Sequence, residues 1–209
     1  MIRRLTMTAL TLMISAPLAA QVPDGMMMRV DRSTNAADPD DVPDVTVSTM
    51  GSGFHVTTGP AVVLWKEADT ASRPFTLEGR FVLGEPSSHA NYYGLIYGGG
   101  SLDGERQNYM YFLIAQNGTY IVKHRAGDNV HDIQGRTESD AIVTPGDDGR
   151  AINQLSVRVG TDETEFVVNG TVVHTVANEG MAGRTDGVWG VRVNHVIPNM
   201  HIDGLGISR

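Results

Sequence analysis

The chain has no cysteine in its 209 residues, so no disulfide staples the fold and no thiolate can act as nucleophile or metal ligand. A cysteine-borne lipid anchor is excluded with it. Lysine is scarce too, with only Lys66 and Lys123, and tryptophan occurs only as Trp65 and Trp189. The acidic balance, a net charge of -8 with a pI near 5.2, lacks the basic surface that releases counterions from a phosphate backbone, which argues against nucleic acid as a partner. An anionic membrane surface is disfavoured for the same reason. No stretch reaches eighteen consecutive apolar residues, so membrane insertion is not expected. The sequence also lacks a Gly-x-Ser-x-Gly elbow and a His-Glu-x-x-His helix.

What is present is ordinary for one domain: 41% hydrophobic and 19% charged residues, with 24 glycines and 9 prolines that make the chain turn often. Residues 1–20 read as a secretory signal peptide, with Arg3 and Arg4 ahead of the apolar run from Leu5 to Ile14 and a small-residue exit ending at Ala20. An exported product, periplasmic or extracellular, is therefore expected. Its net charge is -10, since the 16 basic residues lose Arg3 and Arg4 while all 24 acids remain. Residues 21–44 show little apolar periodicity. The run Asp38-Pro39-Asp40-Asp41-Val42-Pro43-Asp44 reads as an extended acidic segment, which the two prolines hold too open to fold around a calcium ion. The domain proper is expected over residues 45–209.

From Val45 onward short runs alternate apolar and polar residues between glycines. In Phe75 to Leu83, for instance, Phe75, Leu77, Phe81 and Leu83 share one face and Glu78 and Arg80 the other, as a half-buried strand requires. Helical periodicity is limited to one or two turns near Glu138 to Val143. Two Asn-Gly dipeptides, 117–118 and 169–170, mark hairpins with two-residue type I′ turns. Such a turn at 117–118 would set Tyr111 opposite His124 and Leu113 opposite Val122, and the turn at 169–170 would set Phe166 opposite Val173 and Glu165 opposite His174. Ten to fourteen short strands with frequent turns predict an all-β, two-sheet antiparallel sandwich.

The segments Tyr92-Tyr93-Gly94-Leu95-Ile96-Tyr97-Gly98-Gly99, Tyr109-Met110-Tyr111-Phe112-Leu113-Ile114 and Gly118 to Arg125 resemble the middle of concanavalin A-like lectin/glucanase jelly rolls. Asn153 to Val159 followed by Glu165 to Val173 is similar to their second half. More narrowly, the chain looks like secreted bacterial domains related to the laminin-G-like and 3-keto-disaccharide-hydrolase-like groups, over about residues 45–208. The resemblance implies a jelly roll whose partner is a saccharide or another extracellular polymer. It also implies that Asp203, near the chain end, could hold a structural calcium with backbone carbonyls.

Retaining glucanases of this fold place Glu-x-Asp-x-x-Glu on one strand, and this chain has no such spacing. Its nearest acidic cluster, Asp162-Glu163-Thr164-Glu165, adjoins a tight hairpin. The seven histidines show no i, i+2 or i, i+4 pairing that would suggest zinc. A non-catalytic binding module is the leading expectation, with a glycoside hydrolase acting on a disaccharide or polysaccharide, or a structural partner-binding envelope protein, as alternatives. Sugar sites combine aromatic faces with planar polar groups. The candidates of those types are Arg192, Asn194, Tyr111, His124, Arg125 and Tyr93. Arg192 and Asn194 alternate with Val191 and Val193 and should point away from the core.

Overall fold

The computed structural model describes residues 22–31 and 44–208. The signal sequence and the acidic run from Asp38 to Pro43 lie outside the described residues. The rest folds into two seven-stranded antiparallel sheets, with no helix among the described residues. Sheet A has the order β1-β4-β13-β6-β7-β8-β9, built from β1 (Met26–Asp31), β4 (Ala61–Ala71), β13 (Gly187–Val193), β6 (Tyr92–Gly100), β7 (Asn108–Ala115), β8 (Thr119–Ala126) and β9 (Asn129–Glu138). Sheet B has the order β12-β11-β10-β5-β14-β3-β2, from β12 (Thr171–Ala177), β11 (Glu163–Val168), β10 (Ala151–Val159), β5 (Phe75–Glu85), β14 (Ile197–Ser208), β3 (Gly53–Thr58) and β2 (Thr46–Met50). The expected two-sheet sandwich is what forms. The weak helical period near Glu138 to Val143 falls in a loop closed by Ile142 N donating to Ser139 O at 3.1 Å.

The interior follows the alternation in the sequence. Leu77, Phe81 and Leu83 of β5, Leu155 and Val157 of β10 and Phe166 of β11 meet Val62, Leu64, Leu95, Phe112 and Val191 of sheet A in one continuous core. Each such side chain contributes about 1.5–3 kcal/mol of burial. Aromatic pairs tie the layers together, with Phe112 and Phe166 centred 5.2 Å apart and Phe81 and Tyr93 5.7 Å apart.

Three local departures from the sequence reading move side chains. First, Met26–Asp31, within the segment expected to lie outside the domain, forms edge strand β1, paired residue by residue with β4 from Met26↔Lys66 to Asp31↔Ala61. Methionine is a weak strand signal, but Met26 and Val30 still pack on the core, while Arg29 and Asp31 project from the opposite face. Second, the 117–118 hairpin has a three-residue loop. Gly118 N donates to Ala115 O at 3.1 Å and Gly118 takes φ +80°, the type I turn plus left-handed glycine alternative to a two-residue turn. The register shifts by one residue, so Tyr111 faces Lys123, Phe112 faces Val122 and Met110 faces His124. Third, Asn169 (φ 50°) and Gly170 (φ 84°) make the expected two-residue turn. A bulge after Val167 then sets Phe166 opposite His174 and Glu165 opposite Thr175.

Candidate functional site

Sheet A is buried on both faces. Even-numbered residues of β7 (Met110, Phe112, Ile114) enter the core between the sheets, while Tyr109, Tyr111 and Leu113 point outward and are nearly as inaccessible. With Val63, Trp65, Ile96 and Ile121 they form a second apolar cluster on the outer face. Part of its cover is the β6–β7 connection, residues 101–107. The hairpin closes at Gly100↔Asn108, yet the Gly104 carbonyl accepts a 2.6 Å hydrogen bond from Arg29 Nη1. Arg29 lies in the cross-strand row of Val63, Arg192 and Gly94, six residues back along β6, or about 20 Å at ~3.3 Å per residue. The loop therefore arches back across the sheet, and it buries Leu102 in the cluster.

Within this apolar wall sits a charge. Arg192 of β13 is only 7% exposed. Its Nε donates to Asn194 Oδ1 at 2.6 Å, and its Nη1 donates to the Tyr109 hydroxyl at 2.6 Å and to Asp31 Oδ2 at 3.2 Å. The guanidinium carbon lies 5.7 Å from the centre of the Tyr111 ring and 6.0 Å from that of Tyr109, in cation–π range. Arg29 Nε holds the other Asp31 oxygen at 2.7 Å. Burial alone would raise the Asp31 carboxyl, but the Arg29 hydrogen bond and the Arg192 guanidinium outweigh it and hold it below its ordinary value. Asp31 is thus an ionised counter-charge and a poor proton donor. Burial pushes the Tyr111 phenol up to about 12, so it stays a neutral hydroxyl.

Toward β8 and β9 the same face opens. Arg136 is exposed, stands 5.9 Å from the Tyr92 ring centre and donates from Nε to the Tyr92 hydroxyl at 3.0 Å. Lys123 pairs with Asp132 at 2.8 Å, and half-buried Arg125 donates from Nε to Gly127 O at 2.6 Å. This half-exposed rim carries cations, a carboxylate and an aromatic ring beside the buried Arg192 cluster.

Of the residues singled out from the sequence, Arg192, Asn194 and Tyr111 converge here, and Arg125 lies on the same face. His124 and Tyr93 do not. The one-residue register shift turns His124 inward, where Nε2 meets Asn108 Oδ1 at 3.2 Å and the ring stacks on His131 at 5.9 Å. Burial lowers its pKa, aided by the Arg184 and His131 charges. Tyr93 is 1% exposed in the inter-sheet core, and burial raises its phenol far above the ordinary value. Asp203 lies on the outer face of sheet B, where Oδ2 takes Arg80 Nη1 at 2.8 Å and His201 Nε2 at 3.3 Å. Its neighbours are thus a guanidinium and an imidazole. Among the described residues no group of three or more His, Cys, Asp or Glu is placed to hold a metal. The residues that sequence reasoning missed are Asp31 and Arg29, which sit in the segment taken for a linker. Their signal was the alternation Met26-x-Met28-x-Val30, with Arg29 and Asp31 on the opposite set of positions.

No family model matches the chain, and no curated protein matches it. Solved structures do. The carbohydrate binding module CBM66 from Bacillus subtilis superposes with a TM-score of 0.60 at 11% identity, covering 79% of this chain and 92% of that one. The Bacteroides ovatus mixed linkage glucan PUL GH16, in complex with a G4G4G3G product, gives 0.58 at 9% identity, covering 88% and 93%. The laminarinase catalytic domain from Thermotoga maritima gives 0.53 at 12%, covering 88% and 91%. At such identities the likeness shows the fold, which is that of the concanavalin A-like lectin/glucanase jelly rolls.

Proposed function

We propose that this chain is an exported, non-catalytic saccharide-binding domain that meets its ligand on the outer face of sheet A. The observation that carries the reading is the Arg192 guanidinium set between Tyr109 and Tyr111 and fixed by Asp31 and Asn194. Beside this rigid, fully bonded centre lies the more exposed rim of Tyr92, Lys123, Arg125, Arg136 and Asn194. That rim supplies a ring for the apolar side of a sugar and planar or charged donors for its hydroxyls. That a carbohydrate binding module and glucan-acting enzymes share this fold agrees with the choice of ligand class.

Glycoside hydrolysis is less well supported, because it needs a carboxyl held protonated near neutral pH, and Asp31 beside Arg192 is held the opposite way.

The test is a glycan array spanning neutral and acidic oligosaccharides, followed by calorimetric titration of the hits with Tyr92→Ala, Arg125→Ala and Arg136→Ala. Saturable binding weakened about tenfold or more by the rim variants is expected, as for loss of a hydrogen bond to a charged group. Silence of the folded wild-type protein across the array would overturn the proposal.

A further inference from the structure

A cavity of about 260 Å3 opens at one end of the sandwich, away from the Arg192 cluster. Two bulges flank it. In β4, four residues, Lys66 to Asp69, stand where the neighbouring β13 has only Trp189, because Trp65 pairs with Gly190 and Thr70 with Val188. In β14, Gly204 and Leu205 are extruded between the pairs Asp203↔Arg80 and Gly206↔Glu78. Phe54, Leu64, Trp189, Ile202 and Leu205 line the recess beside these bulges.

Three charged groups line the recess, and Asp203 is already held by Arg80 and His201, which leaves Lys66 and Asp69. Lys66 and Asp69 are half-buried, and neither side chain takes part in any hydrogen bond or ion pair among the described residues. They do not pair with each other. Lysine is donor-only and an ionised aspartate acceptor-only. An occupant that satisfies both must offer acceptors and donors together. An anion would be repelled by Asp69 and a cation by Lys66, whereas alcohol hydroxyls do both without charge.

We infer that this cavity is a second saccharide site that takes one neutral sugar ring end-on, with the ring's apolar side toward Trp189 and its hydroxyls between Lys66 and Asp69. The volume, just under the ~300 Å3 lower bound of drug-sized pockets, suits a single ring. The inference rests on the saccharide reading for ligand class only; its residues are separate from those of the sheet A rim.

Trp189 lines the cavity and Trp65 adjoins it from the outer-face cluster, so intrinsic fluorescence responds to occupancy, and variants of the two sites tell which one is filled. The experiment is a fluorescence titration of the intact protein with glucose, galactose, fructose, their methyl glycosides and short oligosaccharides, with a zwitterionic amino acid as the competing chemistry. Wild type is compared with Lys66→Met, Asp69→Asn and the rim variant Arg125→Ala, each checked for an unchanged melting temperature. Expected is a saturable change with at least one sugar, weakened about tenfold or more by Lys66→Met and by Asp69→Asn but not by Arg125→Ala. A response to free monosaccharides and methyl glycosides alike assigns the site to single sugars, and a response to oligosaccharides but not monosaccharides assigns it to chain ends. Either supports the inference. It is overturned if no sugar gives a saturable change, if only the amino acid does, or if Arg125→Ala abolishes the change while the cavity variants leave it intact. That last result would leave the sheet A reading standing.

Discussion

The outer faces of the two sheets are built on different rules. On sheet B, Ile152 is 43% exposed, and the Arg80–Asp203 pair lies open to solvent with Arg80 41% exposed. On sheet A the equivalent positions hold Leu113 at 0% and Arg192 at 7%, covered in part by the β6–β7 loop. A sandwich needs one buried face per sheet. The second buried face of sheet A, with a charge network inside it, is more than folding requires, and it is where function is sought.

The sharpest test of that contrast removes one arginine from each face. Arg192→Met leaves the Asp31 carboxylate with a lost partner in a covered site, and about 3–5 kcal/mol of stability should disappear. Arg80→Met on sheet B breaks a partly solvated pair, at less than about 1 kcal/mol. Urea titrations of the two variants give the comparison, and equal losses would erase the distinction. Next comes Leu113→Ala, expected to cost about 2–5 kcal/mol as in any core, against about 0.5 kcal/mol for Ile152→Ala. Thermal melts side by side would show whether the outer cluster is packed like an interior. Glycine substitutions probe the backbone of each sheet. A Cβ at Gly190 would collide with the Leu64 carbonyl oxygen of the adjoining strand, so Gly190→Ala should lose about 1–3 kcal/mol or more. Gly206 in sheet B has nothing within 4 Å of a Cβ, and Gly206→Ala should change stability by only a few tenths of a kcal/mol.

The smallest effect is on pH dependence. His55, His124 and His174 are held below the ordinary 6.5, chiefly by burial. A depressed folded-state pKa gives stability that is full above 6.5 and lost as the pH falls through the folded value. Asp31 behaves alike, its contribution present above 3.8 and lost as the pH falls below that. Stability should therefore fall in two stages on acidification, the histidine stage first. In Arg192→Met the second stage should shrink, and chemical denaturation at stepped pH would detect it.

Much of this architecture was legible because β-structure writes itself in period two. Phe75 to Leu83 alternates cleanly and is β5, and Val191 and Val193 point inward and so turn Arg192 out. Hairpin positions were legible from Asn-Gly, but turn type was not. The same dipeptide makes a three-residue loop at 117–118 and a two-residue loop at 169–170, and that single residue decides whether His124 faces the outside of sheet A or the core. The β6–β7 loop and β1 were hidden for another reason. Their roles come from long-range contacts, Arg29 to Gly104 and Asp31 to Arg192, which no local pattern announces. The bulges beside the end cavity leave no local mark either, since Lys66 to Asp69 reads as an ordinary polar run.

Whether the outer face of sheet A meets saccharide can be read by amide chemical-shift mapping of the isotope-labelled protein with an array-selected oligosaccharide. Shifts are expected to cluster at Tyr92, Lys123, Arg125, Arg136 and Asn194, with the solvent face of sheet B around His55 and His201 silent. Shifts confined to the outer face of sheet B, around His55 and His201, would contradict a saccharide site on sheet A.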